Sequence, residues 1–344
     1  MKNINQNYIP KSKRVRDAYY YTTGIMQKNL SILSEAITII ESTNPQKSVL
    51  AKEIIEILSE HKSPKSIRIG ITGPPGVGKS TWIDRFLLHL HQNQTAAVLT
   101  IDPSSKSSKG SILGDKTRME TLGKNQNVFI RPSPSGNVLG GISRKTKETM
   151  MLCEFAGFDY VCIETVGVGQ SETEVSDVVD INILVLQPGT GDEIQGIKRG
   201  IMETADIIVI NKFDGELKFI AEQTKRQLHS AISVFSHSLQ HWQIPILLTS
   251  GYQNFGFLEV WNSVESFLST SEKSNYFNNK RKQQNVKWFE VQISSAIQNL
   301  FFQDTDNAST FKKIKLEIQS KDLNPIIAQD RFLDIVKSNF NKKN

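Results

Sequence analysis

The sequence predicts an α/β fold in which a doubly wound, mostly parallel sheet is flanked by N-terminal helices and a C-terminal helical extension. Between residues 66 and 251, short apolar runs alternate with segments whose apolar residues recur every three or four positions. The runs are nearly continuous, which is typical of parallel strands covered on both faces by crossover helices. A glycine-rich loop, residues 73–78, directly follows the first run. In such sheets, ligands lie at the carboxyl ends of the strands.

The N-terminal segment, residues 1–62, is predicted to form a helical layer. From residue 24 onward, apolar side chains recur at helical spacing, at Ile25, Leu30, Leu33, Ala36, Ile37 and Ile40. Asn44-Pro45 breaks this run, and the pattern resumes between Val49 and Leu58. The basic residues before Asp17 include no apolar segment of the kind that a targeting signal carries, so we interpret them as a solvated arm.

The central segment, residues 63–270, is predicted to form the sheet and its crossover helices. Seven strands are expected, at Ile67–Thr72, Ala96–Asp102, Val128–Arg131, Tyr160–Thr165, Ile181–Leu186, Ile207–Asn211 and Ile246–Thr249. The expected helices are Lys79–Gln92 and the segments near 142–156, 192–204, 215–240 and 255–269.

The C-terminal segment, residues 271–344, differs in composition from the centre. Residues 271–279 are polar and are predicted to form a linker. A long helix is predicted next, with one apolar stripe at Val286, Phe289, Ile293, Ala296, Ile297 and Leu300. A short terminal unit follows, with an apolar face of Phe332, Leu333, Ile335 and Val336. Because one helix cannot bury such a stripe alone, it is expected to pack on the core or on a second subunit.

Composition limits the functional classes. No apolar run approaches the ~18 residues that a membrane-spanning helix needs, so no membrane role is expected. The formal net charge is +6, and the basic cluster Lys280–Lys282 is interpreted as a solvated helix end rather than a nucleic-acid contact. Cys153 and Cys162 are too few for a disulfide framework, which favours a reducing, cytoplasmic location.

The glycine-rich loop matches the phosphate-binding pattern Gly-x-x-x-x-Gly-Lys-Ser/Thr of the P-loop NTPases. Its residues are Gly73, Pro74, Pro75, Gly76, Val77, Gly78, Lys79, Ser80 and Thr81. Backbone N–H groups and the following helix N-terminus attract phosphate. Lys79 is predicted to bridge the β- and γ-phosphates, Ser80 to bind Mg²⁺, and Thr81 to hold the α-phosphate side.

A second motif, Asn211-Lys212-Phe213-Asp214, is predicted to read guanine. The Asp214 carboxylate can accept hydrogen bonds from the ring N–H and the exocyclic amine, and adenine lacks the matching donors. Lys212 is expected to lay its stem over the base, and Asn211 to brace the two loops. The segment Thr249-Ser250-Gly251 closes a later strand and could donate backbone N–H groups to the guanine oxygen, although a plain loop has the same pattern. Ser250, Gly251 and Tyr252 are counted among the predicted nucleotide-binding residues.

Two acidic residues at strand ends, Asp102 and Glu164, complete a predicted Mg²⁺ site with Ser80. Asp115 could position the attacking water or coordinate the metal through a water molecule, and Gln170 is a second candidate for orienting the attacking water. Ordinary loop or helix-cap roles are given equal weight. With Lys79 and Glu164, Asp115 and Gln170 form the predicted catalytic set.

Two further features leave alternatives open. Pro188–Lys198 is either a partner-sensing loop or a plain connection between a strand and a helix. His237 and His241 have the i, i+4 spacing of a metal site, but no carboxylate or cysteine partner stands out in the sequence, so ordinary surface or core roles are favoured.

Together these strings resemble the methylmalonyl-CoA mutase-associated GTPases, the MeaB/ArgK family. The resemblance rests on residues 73–81, 102–105, 110–119, 164–172, 191–198 and 211–214. It departs at 104–110, where a Thr and a Gly-Gly pair are expected, and at 250–252, where Ser-Ala is commoner.

The resemblance implies a homodimeric GTPase that uses Mg²⁺ and GTP, releases GDP, and serves an adenosylcobalamin-dependent acyl-CoA mutase. Methylmalonyl-CoA mutase is the first candidate, and an adenosyltransferase is a further partner. By resemblance, Asp102, Asp115 and Glu164 form the Mg²⁺ and hydrolysis set, residues 189–198 form a partner-sensing switch, and the long C-terminal helix serves dimerisation.

Three other functions are open to test. An ATP-using kinase linked to amino-acid transport conflicts with the motif at Asn211–Asp214. A nickel-type metallochaperone would need a His-rich tract or a Cys-x-x-Cys pair, and the sequence has neither. A binding scaffold without hydrolysis conflicts with the presence of Lys79, Ser80 and Glu164.

Overall fold

The computed structural model describes residues 16–91, 93–102, 119, 121–134, 144–165, 175–189, 199–232, 237–321 and 323–343. Its strands are β1 (Ile67–Thr72), β2 (Ala96–Asp102), β3 (Val128–Pro134), β4 (Tyr160–Glu164), β5 (Ile181–Leu186), β6 (Ile207–Ile210) and β7 (Ile246–Leu248). Its helices are α1 (Ala18–Met26), α2 (Leu30–Glu41), α3 (Pro45–Ser59), α4 (Lys79–Phe86), α5 (Arg144–Phe155), α6 (Arg199–Glu203), α7 (Leu217–Ile232), α8 (Phe257–Lys273), α9 (Tyr276–Gln303), α10 (Thr305–Lys321) and α11 (Pro325–Lys343).

The described strands form one seven-stranded sheet in the order β3-β2-β4-β1-β5-β6-β7. Every pairing between neighbouring strands is parallel. All seven carboxyl ends therefore lie along one edge of the sheet. This confirms the predicted fold class, and it brings the loops after β1, β4, β6 and β7 to the same side.

Apolar side chains cover both faces of the sheet, as a doubly wound fold requires. On one face, residues such as Ile71 and Val185 pack with the aromatic rings of α4 and α8. Phe86 stacks between Trp82 and Trp261, with ring centroids 4.7 and 4.4 Å away. On the other face, α1, α2, α3 and α5 cover β2 and β4, while α6 and α7 cover β5 and β6.

The N-terminal layer starts earlier and divides differently than predicted. The helix α1 begins at Ala18, where the Asp17 side chain caps it by accepting the N–H of Tyr20. A turn at Lys28, with φ of 59°, separates α1 from α2. At the predicted break, Pro45 occupies the first turn of α3 and the Asn44 side chain caps it. The proline therefore lies at the start of α3, whereas α2 already ends at Glu41.

Several helices begin or end at residues other than those predicted. The helix from Lys79 ends at Phe86 and continues as a 3₁₀ turn, Leu87–His89, so its extension to Gln92 was wrong. In the segments near 192–204 and 215–240, the described helices are Arg199–Glu203 and Leu217–Ile232. Residues 190–198 and 233–236 lie outside the described part.

The polar stretch at 271–279 is not a linker. It is helical except at Ser274 and Asn275, which form the turn between α8 and α9. Tyr276 and Phe277 place their rings 6.2 and 6.0 Å from that of Phe267. These tertiary contacts fold a segment whose composition alone resembles a loop.

The chain divides into two compact units, residues 1–281 and 282–344. The first contains the sheet. In the second, rings of Phe301, Phe302, Phe311 and Phe332 form an aromatic cluster with neighbouring centroids 5.1–5.9 Å apart. No helix within the described ranges has the length and apolar character needed to cross a membrane.

Candidate functional site

The glycine-rich loop joins β1 to α4, as predicted. Gly73, Gly76 and Gly78 have φ of 140°, 82° and 88°, a region that side chains other than glycine rarely enter. A Cβ atom at Gly73 would lie 2.0 Å from the carbonyl oxygen of Val185 in β5, so a larger residue would displace the loop. Val77 is fully buried and anchors the middle of the loop in the core.

Lys79 begins α4, and its side chain turns back over the loop. Its Nζ donates hydrogen bonds to the carbonyl oxygens of Gly73 and Pro74, at 2.7 and 2.9 Å. The residue is only 7% exposed, so the ammonium lies in a partly desolvated site. With the N-terminus of α4, it concentrates positive potential at the loop, which favours phosphate.

Ser80 and Glu164 lie in direct contact beside the loop. The Ser80 hydroxyl donates to Glu164 Oε1 at 2.7 Å. The parallel pairing of β1 with β4 sets Glu164 opposite Ile71, which brings the end of β4 next to the loop. A hydroxyl and a carboxylate are oxygen ligands of the kind that Mg²⁺ prefers. The structure therefore brings together two of the three predicted metal ligands.

The third ligand and both water-orienting candidates lie beyond what the structure describes. Asp102 is the last residue of β2, which is on the far side of β4 from β1, but its side chain is not described. Asp115 and Gln170 lie outside the described residues altogether.

Asn211 joins three loops. Its Nδ2 donates to the Val77 carbonyl oxygen at 3.0 Å, which ties the guanine motif to the phosphate loop. Its Oδ1 accepts the Gly251 N–H at 3.3 Å and the Thr249 hydroxyl at 3.4 Å. The residue is 4% exposed. The bracing role predicted for Asn211 therefore has a direct structural basis.

The Lys212 side chain also contacts the phosphate loop. Its Nζ donates to the Gly76 carbonyl oxygen at 2.8 Å and to Gln187 Oε1 at 3.0 Å. Its backbone has φ of 63°, a left-handed conformation that is uncommon for lysine.

The Asp214 carboxylate is oriented by Ser250. The Ser250 hydroxyl donates to Asp214 Oδ2 at 2.5 Å and accepts the Gln253 N–H at 3.0 Å. Loop 250–255 closes through paired backbone hydrogen bonds between Ser250 and Phe255. This side-chain role of Ser250 was missed, because the sequence interpretation considered only the backbone of this segment.

The backbone N–H groups predicted to contact guanine, those of Thr249, Ser250 and Gly251, are engaged within the protein. The Thr249 N–H donates to the Ile210 carbonyl oxygen at 2.9 Å. The N–H of Ser250 is bonded to the Phe255 carbonyl, and that of Gly251 to Asn211 Oδ1. The Tyr252 N–H has no partner within the described part of the chain, and this residue is 90% exposed. Tyr252 is therefore the residue of this segment whose backbone can still donate to a base.

Comparisons with known proteins identify the family of this chain. The profile of the family described as "Methylmalonyl Co-A mutase-associated GTPase MeaB" matches residues 33–306, most of the chain. The chain belongs to the MeaB family.

Two relatives and a solved structure extend the match. GTPase ArgK of Escherichia coli (strain K12) is 37% identical over 302 residues, covering 88% of this chain and 91% of ArgK. The mitochondrial methylmalonic aciduria type A homolog of Mus musculus is 37% identical over 348 residues, covering 98% and 83%. A structure described as "LAO/AO transport system kinase" superposes with a TM-score of 0.73 at 30% identity, covering 93% and 97%.

Membership in the MeaB family makes this chain a GTPase, as the sequence predicted. The predicted resemblance is thereby confirmed. The phosphate loop and the segment Asn211–Asp214, which are distant in the sequence, are joined in the structure by the hydrogen bond from Asn211 to the Val77 carbonyl oxygen.

One histidine has a partner that the sequence interpretation did not find. His237 Nε2 lies 2.8 Å from Asp206 Oδ1, and both side chains are almost fully buried. His237 Nδ1 accepts the Leu239 N–H, so it is not available to a metal. His241 is exposed, and no group of three His, Cys, Asp or Glu in the described ranges is suited to a metal ion. A structural role for His237 follows.

The two cysteines are also structural. Both are free and fully buried. Burial raises the pKa of Cys162 to about 12, and it raises the pKa of Cys153 still further. Neither thiol is ionised near neutral pH, so neither is suited to nucleophilic or metal-binding chemistry.

Proposed function

We propose that this MeaB-family GTPase binds GTP with Mg²⁺ at the carboxyl edge of the sheet, and that hydrolysis gates cofactor delivery to an adenosylcobalamin-dependent acyl-CoA mutase. Methylmalonyl-CoA mutase is the first candidate, and protection of the mutase is part of the same role. The observation that carries the nucleotide part is Asn211, whose side chain links the phosphate loop, the guanine motif and the loop after β7.

Guanine selectivity is assigned to Asp214. Ser250 engages one carboxylate oxygen and so sets the plane in which the carboxylate meets the base edge. Adenine has no hydrogen-bond donors at the positions that face this carboxylate, so a bound adenine would leave a desolvated charge without partners. This costs far more binding free energy than the loss of a neutral contact. This argument favours GTP over ATP, although one similar structure is described as a transport system kinase.

The residues present fit Mg²⁺. Ser80 and Glu164 would hold the ion, and Asp102 is the third candidate at the end of β2. A bound Mg²⁺ would neutralise charge on the β- and γ-phosphate oxygens.

Phosphate binding and hydrolysis are assigned to the loop residues. Lys79 would exchange its two carbonyl acceptors for phosphate oxygens, which are stronger acceptors because they are charged. Loop N–H groups from Gly73 to Thr81 would hold the phosphates in line for attack by water. Asp115 and Gln170 remain the proposed residues for orienting that water.

The partner-facing part of the proposal rests on the family and on exposed surfaces. The mouse relative is named for methylmalonic aciduria, which supports a mutase-linked role. We assign partner sensing to residues 188–198. The apolar stripe of α9 is 43–67% exposed at Val286, Phe289, Ile293, Ile297 and Leu300, and this exposure supports dimerisation through the helix. A cytoplasmic location and an adenosyltransferase partner complete the proposal.

Competition binding tests the guanine assignment. The wild-type chain is expected to prefer GTP over ATP by more than 100-fold, since each lost charged hydrogen bond costs roughly 1.5–3 kcal/mol. Asp214→Asn should lose that preference and gain affinity for xanthosine triphosphate, because an amide can donate to the 2-oxo group of xanthine. Glu216→Gln, an exposed neighbour, is the matched control. Unchanged selectivity in Asp214→Asn would refute the role of Asp214.

Three further experiments test phosphate binding, GTP hydrolysis and the identity of the partner separately. Lys79→Ala should abolish tight GTP binding, and single-turnover phosphate release from wild-type protein tests hydrolysis. Co-purification with mass spectrometry of the bound proteins tests the mutase. Recovery of no acyl-CoA mutase from a host that makes one would contradict the partner assignment while leaving the GTPase intact.

A further inference from the structure

Within the described residues, the Lys212 ammonium donates to two acceptors, of which one lies in a nucleotide motif and the other lies outside both motifs. Gly76 contributes a carbonyl oxygen of the phosphate loop at 2.8 Å. The other acceptor is the side-chain oxygen of Gln187 at 3.0 Å. Gln187 directly follows the last residue of β5 and lies outside both nucleotide motifs.

The chemistry of the contact defines its direction. An ammonium group carries only donors, so the Gln187 amide must present its oxygen to Lys212. Hydrogen bonds from a charged donor are stronger than neutral ones. An aliphatic or aromatic residue at 187 could not replace this contact.

Gln187 is itself held in place on both sides. The Asn211 N–H donates to the carbonyl oxygen of Leu186 at 2.8 Å. Two residues further on, the Gly189 N–H donates to the Thr224 hydroxyl of α7 at 3.1 Å. The amide therefore projects from a backbone segment that is tied to the guanine motif and to a neighbouring helix.

Lys212 is constrained at both ends as a result. Its backbone occupies the left-handed region, where a residue other than glycine persists only if its surroundings hold it. Its ammonium is held between Gly76 and Gln187. The aliphatic stem between these points is the part predicted to cover the base.

We infer that Gln187 is a positioning residue for nucleotide binding, which acts by holding the Lys212 stem in its base-covering conformation before the nucleotide arrives. This inference rests on the proposed GTP binding. A stem lying on the face of a purine does not distinguish base edges, since edge recognition belongs to Asp214. Loss of the Gln187 side chain should therefore lower the affinity for every purine nucleotide by the same factor and leave the selectivity between bases unchanged.

The test compares Gln187→Leu with wild-type protein by the dissociation rates and affinities of GDP and IDP. We expect both affinities to fall by about tenfold or more, the factor that corresponds to the loss of one hydrogen bond to a charged group. The ratio of GDP to IDP affinity should stay constant. Gln187→Glu retains an acceptor for the Lys212 ammonium and should lose less affinity than Gln187→Leu. Gln227→Leu, on the exposed face of α7, is the matched control and should change nothing.

A double variant tests whether Gln187 acts through the Lys212 ammonium. Lys212→Met keeps the stem but lacks the ammonium, so adding Gln187→Leu to it should have no further effect. An equal loss in that background, or wild-type affinity in Gln187→Leu alone, would overturn the inference. Urea unfolding of each variant without nucleotide checks that the fold is retained. If wild-type protein bound no guanine nucleotide, the proposed function itself would fail, which is a distinguishable result.

Discussion

Arg281→Met should strongly destabilise the unit that contains residues 1–281. The Asp180 carboxylate, just before β5, is fully buried and receives Arg281 Nε and Nη2 at 2.7 and 2.5 Å. Arg281 Nη2 also donates to the Ser66 carbonyl oxygen at 2.7 Å. The interpretation of Lys280–Lys282 as a solvated helix end is therefore wrong for Arg281, because its guanidinium pairs with a buried carboxylate. Methionine keeps much of the side-chain volume but removes every one of these donors.

The expected magnitude follows from the burial of the carboxylate. Removing one partner of a buried ion pair costs roughly 3–5 kcal/mol, because the other charge remains without compensation. Asp180 would retain the Arg68 N–H at 2.8 Å. A cavity of about 320 Å³ adjoins both residues and would admit water. We therefore expect the lower end of the range, a loss of about 3 kcal/mol in the free energy of unfolding.

Urea unfolding at pH 7, followed by tryptophan fluorescence, measures this loss. Asp180→Asn combined with Arg281→Met should cost clearly less than the sum of the two single changes, because the double variant buries no unpaired charge. Arg331→Met removes an exposed pair with Glu317 and should cost under about 1 kcal/mol. A loss below about 1 kcal/mol in Arg281→Met, or strict additivity in the double variant, would refute the reasoning.

Two further substitutions probe the site and the electrostatics of the core. Asn211→Ala should lower the free energy of unfolding by about 1–3 kcal/mol, since it leaves the Val77 carbonyl without its donor, and it should also weaken GDP binding in calorimetry; normal values of both would contradict the bracing role. Burial, with a smaller contribution from the charge of Arg68, lowers the pKa of Lys147 from 10.5 to about 8. A folded-state pKa below the unfolded value means that protonation opposes folding, so this penalty is complete below about pH 8 and is relieved as the pH rises towards 10.5. Lys147→Met should therefore raise the free energy of unfolding at pH 7 by about 1 kcal/mol, after allowance for solvent screening of a half-buried group. It should also remove the rise in the free energy of unfolding that Lys147 causes between about pH 8 and 10. An unchanged dependence of stability on pH would contradict this prediction.

Local patterns accounted for the strands and the two nucleotide motifs. Strands β1, β2 and β5 have the predicted bounds, because continuous apolar runs between polar loops have few other stable arrangements. The glycine positions in the phosphate loop follow from backbone conformations that other residues avoid. Such features depend on neighbours in the chain, and they are visible in the order of the residues.

The sequence predictions were wrong or incomplete where a contact with a residue distant in the sequence determines the local structure. Residues 271–279 are polar, yet they are mostly helical, because Tyr276 and Phe277 pack against Phe267. His237 has no nearby acid in the sequence, but folding brings Asp206 to it across 31 positions. No local pattern carries that information.

The residue order alone therefore specified a parallel α/β sheet and a glycine-rich loop after its first strand, since each depends on short-range periodicity or backbone sterics, and it predicted a guanine-reading role for Asn211–Asp214. Folding in three dimensions decided that β1 lies between β4 and β5, which sets Glu164 beside Ser80 and Gln187 beside Lys212. Those contacts join residues 84 and 25 positions apart. They form because the strands pair side by side, and strand order is chosen by the packing of the whole core.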